Sequence, residues 1–239
     1  MSTRALANRD KGHIGDFRRY LSDLNKLVET ALPPHSEMPR LLIGHSMGGH
    51  LALRYLFEHP RSFDLAVLSS PMVDIDYGRM PRWLSRAIAQ GACALGLGRA
   101  YALGAGDYDP KNARFQGNRL THDRRRFFEQ HAWIARRPRL AVGGPTFAWI
   151  RAAQRSIRAT ERRGFARGVR IPVLVMAAGQ ERVVSIAAAQ RLVSAMPSAA
   201  YIGLADARHE VLMETDEIRA LFWQRVDRFL GQYGLQAAA

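Results

Sequence analysis

The chain has 239 residues, an apolar fraction of 47% and a formal net charge of +14 at pH 7. This length and apolar content predict one α/β domain, with or without a small insertion, and are ample for a buried core. The single cysteine, Cys93, excludes a disulfide within the chain.

Two further features predict where the protein is found. Residues 1–11 are polar and lack the apolar segment of a secretion signal, and the weakly polar stretch 87–98 is too short and too rich in glycine to span a bilayer. Together with the low cysteine content, these features predict a cytoplasmic protein.

The positive charge is concentrated in one internal segment. Residues 79–170 hold 19 Arg and one Lys against five acidic residues, whereas the rest of the chain holds 15 basic and 16 acidic residues. This distribution indicates either an anionic partner, best an anionic lipid surface or a phosphate-bearing substrate, or a solvated arginine-rich surface. No recognition motif for nucleic acid is present, so no nucleic-acid partner is expected.

The predicted elements alternate between helix and strand along most of the chain. An amphipathic helix over 14–32 comes first, then strands over 40–43 and 63–68 with a helix-compatible stretch, 51–57, between them. Further on come a strand over 171–176, a helix over 184–196, a strand over 199–204 and a helix over 216–230. This alternation is typical of an α/β fold with a parallel sheet covered on both faces.

The segment between the second and third predicted strands has helical periodicity but no strand pattern. Its helical pieces lie near 82–94, 123–135 and 146–163, and it coincides with the basic segment. We therefore expect a core formed by residues 1–71 and 171–239, interrupted by a basic helical cap over 72–170.

The motif that carries chemistry is Gly44-His45-Ser46-Met47-Gly48. It follows a predicted strand and precedes a helix, the context in which G-x-S-x-G forms a sharp turn that lifts its serine above the sheet. The two glycines, Gly44 and Gly48, leave room for this turn. The serine is a candidate nucleophile, and the turn points the Met47 amide at the position where an oxyanion would form.

A serine hydroxyl needs a base and a group that orients the base. His209 lies in the loop between the last strand and the last helix, at the carboxyl edge of the sheet where α/β sites gather. His45 and His50 flank the serine in sequence, but a neighbour on a sharp turn is expected to point elsewhere. Surface or structural roles are expected for the histidines in loops or on the basic insert, which are His13, His35, His59, His122 and His131.

The orienting acid should follow a strand and precede the histidine in the sequence. Glu181 meets both conditions, while Asp206 competes but stands only three positions before His209. The order Ser46, Glu181, His209 is the order of nucleophile, acid and base in α/β-hydrolases.

These motifs resemble those of the α/β-hydrolase family, in its lysophospholipase L2 and monoacylglycerol lipase-like branch. The segments that carry the resemblance are 44–49, 179–184, 207–210 with Glu214, 120–123, 143–149 and an early stretch that starts at Arg4. The acid loop departs from the family pattern in having Glu where Asp is usual. The resemblance implies hydrolysis of a carboxylic ester in a lipid-like substrate by a Ser-His-Glu triad through an acyl-enzyme, with no metal or organic cofactor.

The resemblance also implies a sheet of about eight strands, of which the sequence supplies the last four. We expect the N-terminal part of the fold to be missing from this sequence. The strand at 40–43 would then be an exposed apolar edge. The oxyanion hole would keep Met47 but lose its second donor, which typically lowers turnover by about 10²–10³-fold.

Two alternatives remain open at this point. One is a different acyl chemistry on the same residues, such as that of a thioesterase, an acyltransferase or a peptidase, because fold does not determine substrate. The other is a truncated, non-catalytic remnant that binds a membrane or a partner. If the chain is a lipid esterase, the basic cap is expected to form the lipid-facing entrance and to make peripheral contact with anionic membrane.

Overall fold

A computed structural model describes residues 11–33 and 38–235. Of the residues named above, Arg4 and His35 lie outside the described residues.

Four parallel strands form the sheet in the order β1-β2-β3-β4. The strands are β1 (Leu41–His45), β2 (Leu65–Ser69), β3 (Val173–Ala178) and β4 (Ala199–Leu204). In the register, Leu41 pairs with Leu65, Ala66 with Val173, and Val173 with Ala199. All four carboxyl ends therefore lie at one edge of the sheet, and the predicted α/β class is confirmed.

Eight helices accompany the strands in the described part of the chain. They are α1 (Arg18–Ala31), α2 (Met47–Glu58), α3 (Arg82–Ala94), α4 (Arg124–Arg136), α5 (Phe147–Thr160), α6 (Phe165–Gly168), α7 (Ile186–Ser194) and α8 (Asp216–Gly231). Each helix predicted from periodicity is present, with ends within four residues of those expected. Helix α6 was not predicted because a single turn is too short to establish a helical period.

The inner strands lie in the core. Every residue of β2 and β3 is buried because each strand has a neighbour on both sides, whereas β1 and β4 are only partly buried. Helix α8 packs on this core through Phe222, Val226 and Phe229. Leu221 is 37% exposed because it lies at the margin of this apolar face.

The chain divides into two compact units. One comprises Met1–His35, Tyr77–Arg114 and Phe128–Thr160, and the other comprises Ser36–Asp76, Phe115–Phe127 and Glu161–Ala239. The second unit holds the sheet and all the candidate site residues. The division into a core and a basic cap over 72–170 stays a prediction.

The first unit has its own buried contacts. Phe17, at the start of α1, packs edge-on against Tyr20 and Trp149, with ring centroids 5.3 and 5.5 Å away. The Gly12 N–H donates to the Gly144 carbonyl at 3.0 Å, and the Thr146 N–H donates back to the Gly12 carbonyl at 2.9 Å. None of the helices within residues 11–33 and 38–235 combines the length and apolar character that a bilayer span needs.

Candidate active site

Ser46 occupies the sharp turn between β1 and α2. Its φ of 50° and ψ of −117° place it in a region that residues with a side chain seldom adopt. The Ser46 N–H donates to the Ser69 carbonyl at 2.9 Å, and its own carbonyl accepts from the Met72 N–H at 2.9 Å. These bonds hold the strained turn, as the G-x-S-x-G motif predicted.

The glycines around the serine are not equivalent. A Cβ on Gly44 would lie 3.0 Å from the Gly49 Cα, and a Cβ on Gly49 would lie 2.9 Å from the Pro71 Cβ. A Cβ on Gly48 would meet nothing within 4 Å. Close backbone approach therefore requires Gly44 and Gly49. We expected the turn to need a glycine at position 48 as well. That expectation was wrong, because a side chain at Gly48 would extend into open space.

His209 lies between Ser46 and Glu181. Its Nδ1 is 2.8 Å from Glu181 Oε2 and its Nε2 is 2.9 Å from Ser46 Oγ. Because a carboxylate only accepts hydrogen bonds, Nδ1 carries the proton and Nε2 accepts from the serine hydroxyl. The structure thus brings the three predicted side chains into one hydrogen-bonded series, in which those of His209 and Glu181 are 3% and 0% exposed.

The acid loop, residues 179–184, follows β3. Hydrogen bonds fix both carboxylate oxygens of Glu181, which lies in this loop. While Glu181 Oε2 faces His209, Oε1 accepts from the N–H groups of Arg182, Val183 and Val184 at 3.0, 2.8 and 3.3 Å. Burial raises the pKa of Glu181, but the hydrogen bond and charge of His209 and the N–H groups outweigh burial and leave the pKa below its usual value.

A glycine is also required in this loop. A Cβ on Gly179 would lie 2.3 Å from the Ala205 carbonyl oxygen. Asp206, the competing acid, is exposed, and its carboxylate has no hydrogen-bond partner in the described part of the chain. The local geometry therefore brings Glu181, and not Asp206, to His209.

The Met47 amide begins helix α2. Like the other N–H groups of a first helical turn, it has no carbonyl four residues earlier to accept its proton. Among residues 11–33 and 38–235 it has no other acceptor. It is free to donate to an oxygen beside Ser46, with the positive end of the helix dipole behind it.

A buried carboxylate that sequence reasoning did not assign holds the histidine loop. Glu214 is 0% exposed, and its Oε1 accepts from the Arg208 N–H at 2.8 Å while its Oε2 accepts from the His122 N–H at 2.9 Å. On the other side of His209, the Glu210 N–H donates to the Leu120 carbonyl at 2.9 Å. Both neighbours of His209 are therefore tied to residues 120–122. The sequence did contain a signal for a buried carboxylate, because Glu214 follows three apolar residues in Val-Leu-Met-Glu-Thr.

A second His–Glu pair lies beside the first. His45 Nε2 is 3.1 Å from Glu210 Oε2, and the rings of His45 and His209 are 5.0 Å apart between centroids. Burial raises the pKa of Glu210, but the hydrogen bond with His45 and the charges of His45 and His209 outweigh burial and lower it. The sequence did not reveal this pair, because the two residues are 165 positions apart.

His50, the other histidine near the serine, is fully buried. Burial and the charge of Arg54 lower its pKa to about 3. It is therefore a neutral core residue at physiological pH.

His45, His209 and Glu210 also offer ligand atoms within 4.8 Å of one another. The ring nitrogens of His209 already face Ser46 and Glu181, and His45 already faces Glu210. We therefore assign these atoms to hydrogen bonding and assign no metal to them.

Comparison with known proteins decides the family. A family model described as Hydrolase_4, "Serine aminopeptidase, S33", matches residues 6–216. The chain belongs to the α/β-hydrolase family. "Probable lysophospholipase L2" of Haemophilus influenzae is 30% identical over 220 residues, which are 92% of this hydrolase and 68% of the relative. Lysophospholipase L2 of Escherichia coli K12 is 31% identical over 241 residues, with 97% and 69% covered.

Solved structures agree on the fold. A soluble variant of monoglyceride lipase from Saccharomyces cerevisiae superposes with a TM-score of 0.68 at 19% identity, over 94% of this hydrolase and 73% of that chain. The monoacylglycerol lipase of Paleococcus ferrophilus superposes with a TM-score of 0.63 at 16% identity, over 92% and 77%. By family, this hydrolase is a lysophospholipase-like carboxylic ester hydrolase.

Proposed function

We propose that this hydrolase cleaves the carboxylic ester of a lipid-like substrate, a lysophospholipid or a monoacylglycerol, with Ser46 as nucleophile. The observation that carries the proposal is the hydrogen-bonded series from Ser46 Oγ through both ring nitrogens of His209 to Glu181. This arrangement provides a nucleophile, a base and an orienting acid, which acyl transfer to serine requires.

The first half-reaction forms an acyl-enzyme. His209 Nε2 takes the hydroxyl proton as Ser46 Oγ bonds to the ester carbon, and the Met47 amide donates to the resulting oxyanion. When the tetrahedral intermediate collapses, the bond from carbon to the alcohol oxygen breaks and His209 returns its proton to that oxygen. Glu181 stabilises the imidazolium throughout without taking its proton.

Water completes the reaction. His209 removes a proton from a water molecule as its oxygen attacks the acyl carbon, and it then protonates Ser46 Oγ as the free acid leaves. The names of the lysophospholipase relatives support a lipid-like acyl group. We extend the proposal to peripheral contact with anionic membrane through the arginine-rich residues 79–170.

A fluorophosphonate probe tests the nucleophile directly. The wild-type chain should be labelled, and labelling should disappear in Ser46→Ala and His209→Gln. Ser194→Ala, a matched control on an exposed position of α7, should leave labelling unchanged. Folded protein that is not labelled would contradict the proposal and favour a non-catalytic binding protein.

A peptidase is the second candidate, because the matching family model carries the description of a serine aminopeptidase. Labelled enzyme should therefore be offered lysophospholipids, monoacylglycerols, acyl thioesters and aminoacyl arylamides side by side. Release of the arylamine at a higher kcat/KM than fatty acid would favour the peptidase over the lipid esterase.

A further inference from the structure

A cleft of about 700 Å³ lies beside the acid loop, within the unit that holds the sheet. Arg119, Arg182 and Arg208 line it, together with Glu181 and the short segments 117–118 and 179–180. The wall is predominantly polar, and three of its eight residues carry a permanent positive charge. The proposed ester hydrolysis uses none of these three arginines.

The positive charge in this cleft has little compensation. The one carboxylate in its wall, that of Glu181, already accepts from His209 and three backbone N–H groups. Within residues 11–33 and 38–235, the guanidinium groups of Arg119 and Arg182 have neither a hydrogen bond nor an ion pair. Asp206 is not among the residues that line the cleft. The cleft is therefore a concave site of net positive charge.

The backbone beneath each arginine is held in place. Asn118 Oδ1 accepts from the N–H groups of Leu120 and Thr121 at 2.9 and 3.0 Å, which fixes the turn that carries Arg119. The Arg182 N–H donates to Glu181 at 3.0 Å.

Arg208 is fixed more firmly. Its N–H donates to Glu214 at 2.8 Å, and its own guanidinium donates to the Thr121 carbonyl at 3.1 Å, which leaves its remaining donors available. Because the backbone at each arginine is already fixed, less conformational entropy is lost when a ligand binds.

We propose that this cleft binds a phosphate group. Guanidinium donors match phosphate oxygens in bidentate geometry, and a tetrahedral group can accept from three directions at once, which a planar carboxylate with two oxygens does less well. Glu181 itself lines the cleft, and Arg208 immediately precedes His209 in the sequence, so the bound phosphate lies beside the loop that carries Glu181. Its source is either the head group of the substrate or free phosphate, and the head-group assignment alone rests on the proposed function.

Calorimetric titration of the intact chain with inorganic phosphate tests the site without any turnover. The wild type should bind saturably, and the double variant Arg119→Gln/Arg182→Gln should bind about tenfold more weakly or worse, because each charge-assisted contact is lost. The matched control is Arg191→Gln/Arg228→Gln, which removes two exposed arginines from α7 and α8 and should bind as the wild type does. No saturable binding, or equal weakening in both double variants, would overturn the proposal.

Kinetics then identify the source of the phosphate. Lysophosphatidic acid and a monoacylglycerol with the same acyl chain form the substrate pair. If the site takes the head group, the Arg119/Arg182 variant raises KM for lysophosphatidic acid alone by about tenfold, with kcat retained. If it takes free phosphate, calorimetry still shows the loss and the two KM values keep their ratio. A chain with no turnover would contradict the proposed function and leave the calorimetric result standing.

Discussion

Glu181 and His209 are joined by a hydrogen bond of 2.8 Å between two buried side chains that are 28 positions apart in the sequence. The Glu181 side chain is buried, and its second carboxylate oxygen accepts from three backbone N–H groups. Glu181 is therefore held in the geometry that orients Nδ1 of the imidazole, which makes it a sharp test of the proposed mechanism.

Replacing Glu181 by Gln should lower kcat by about 10³–10⁴-fold, because an amide can hold the wrong imidazole tautomer and does not stabilise the cation. Ester hydrolysis under saturating substrate measures this loss. Asp206→Asn is the matched control and should retain kcat within about twofold, since Asp206 is exposed. Equal losses in the two variants would reject Glu181 as the orienting acid.

The glycines of the nucleophile turn should differ in how they tolerate a methyl group. Gly49→Ala should lower the unfolding midpoint, because the new Cβ would lie 2.9 Å from the Pro71 Cβ. Gly48→Ala should maintain or raise the midpoint, because its Cβ enters open space and Ala favours the helix by about 1 kcal/mol. Thermal unfolding of both variants gives the comparison, and a greater loss for Gly48→Ala would contradict it.

Glu214 should be a major determinant of stability. Glu214→Gln should cost about 1–3 kcal/mol of unfolding free energy, because the amide cannot accept at both ends from the N–H groups of Arg208 and His122. Urea denaturation measures the cost. Glu217→Gln, on the exposed first turn of α8, is the control and should change stability by less than about 0.5 kcal/mol. A similar change in both variants would show that the buried carboxylate contributes little.

The loss of unfolding free energy in acid should depend on the protonation of Glu181. Its folded pKa lies below its usual value of 4.5, so its contribution to stability is complete above pH 4.5 and is lost as the pH falls below 4.5 through the folded pKa. The difference in unfolding free energy between wild type and Glu181→Gln should therefore narrow on acidification below pH 4.5. Denaturant titrations at several pH values test this. A difference in unfolding free energy that widens in acid would contradict the prediction.

Membrane contact through the arginine-rich residues 79–170 should depend on salt. Vesicles that contain an anionic phospholipid should sediment the chain at low ionic strength and release it as salt is raised, because the Debye length shortens from about 30 Å at 0.01 M to about 8 Å at 0.15 M. Neutral vesicles are the control. Binding that ignores salt would argue against an electrostatic contact.

The sequence by itself determined the parallel α/β class and each main helix and strand. It also determined which three side chains form the hydrogen-bonded series, those of Ser46, His209 and Glu181. It could do so because periodicity and turn chemistry are local, and because the carboxyl ends of parallel strands converge on one edge. Ser46, Glu181 and His209 each follow a strand, so their meeting was implied by the topology.

Only the tertiary structure decided which contacts support that meeting. The buried Glu214, the pairing of His45 with Glu210 and the space at Gly48 depend on residues far apart in sequence. The arginine cleft is of the same kind, since Arg119, Arg182 and Arg208 come from three separate segments. Side-chain contacts across such distances are set by how the loops pack, and no pattern within a single segment encodes that packing.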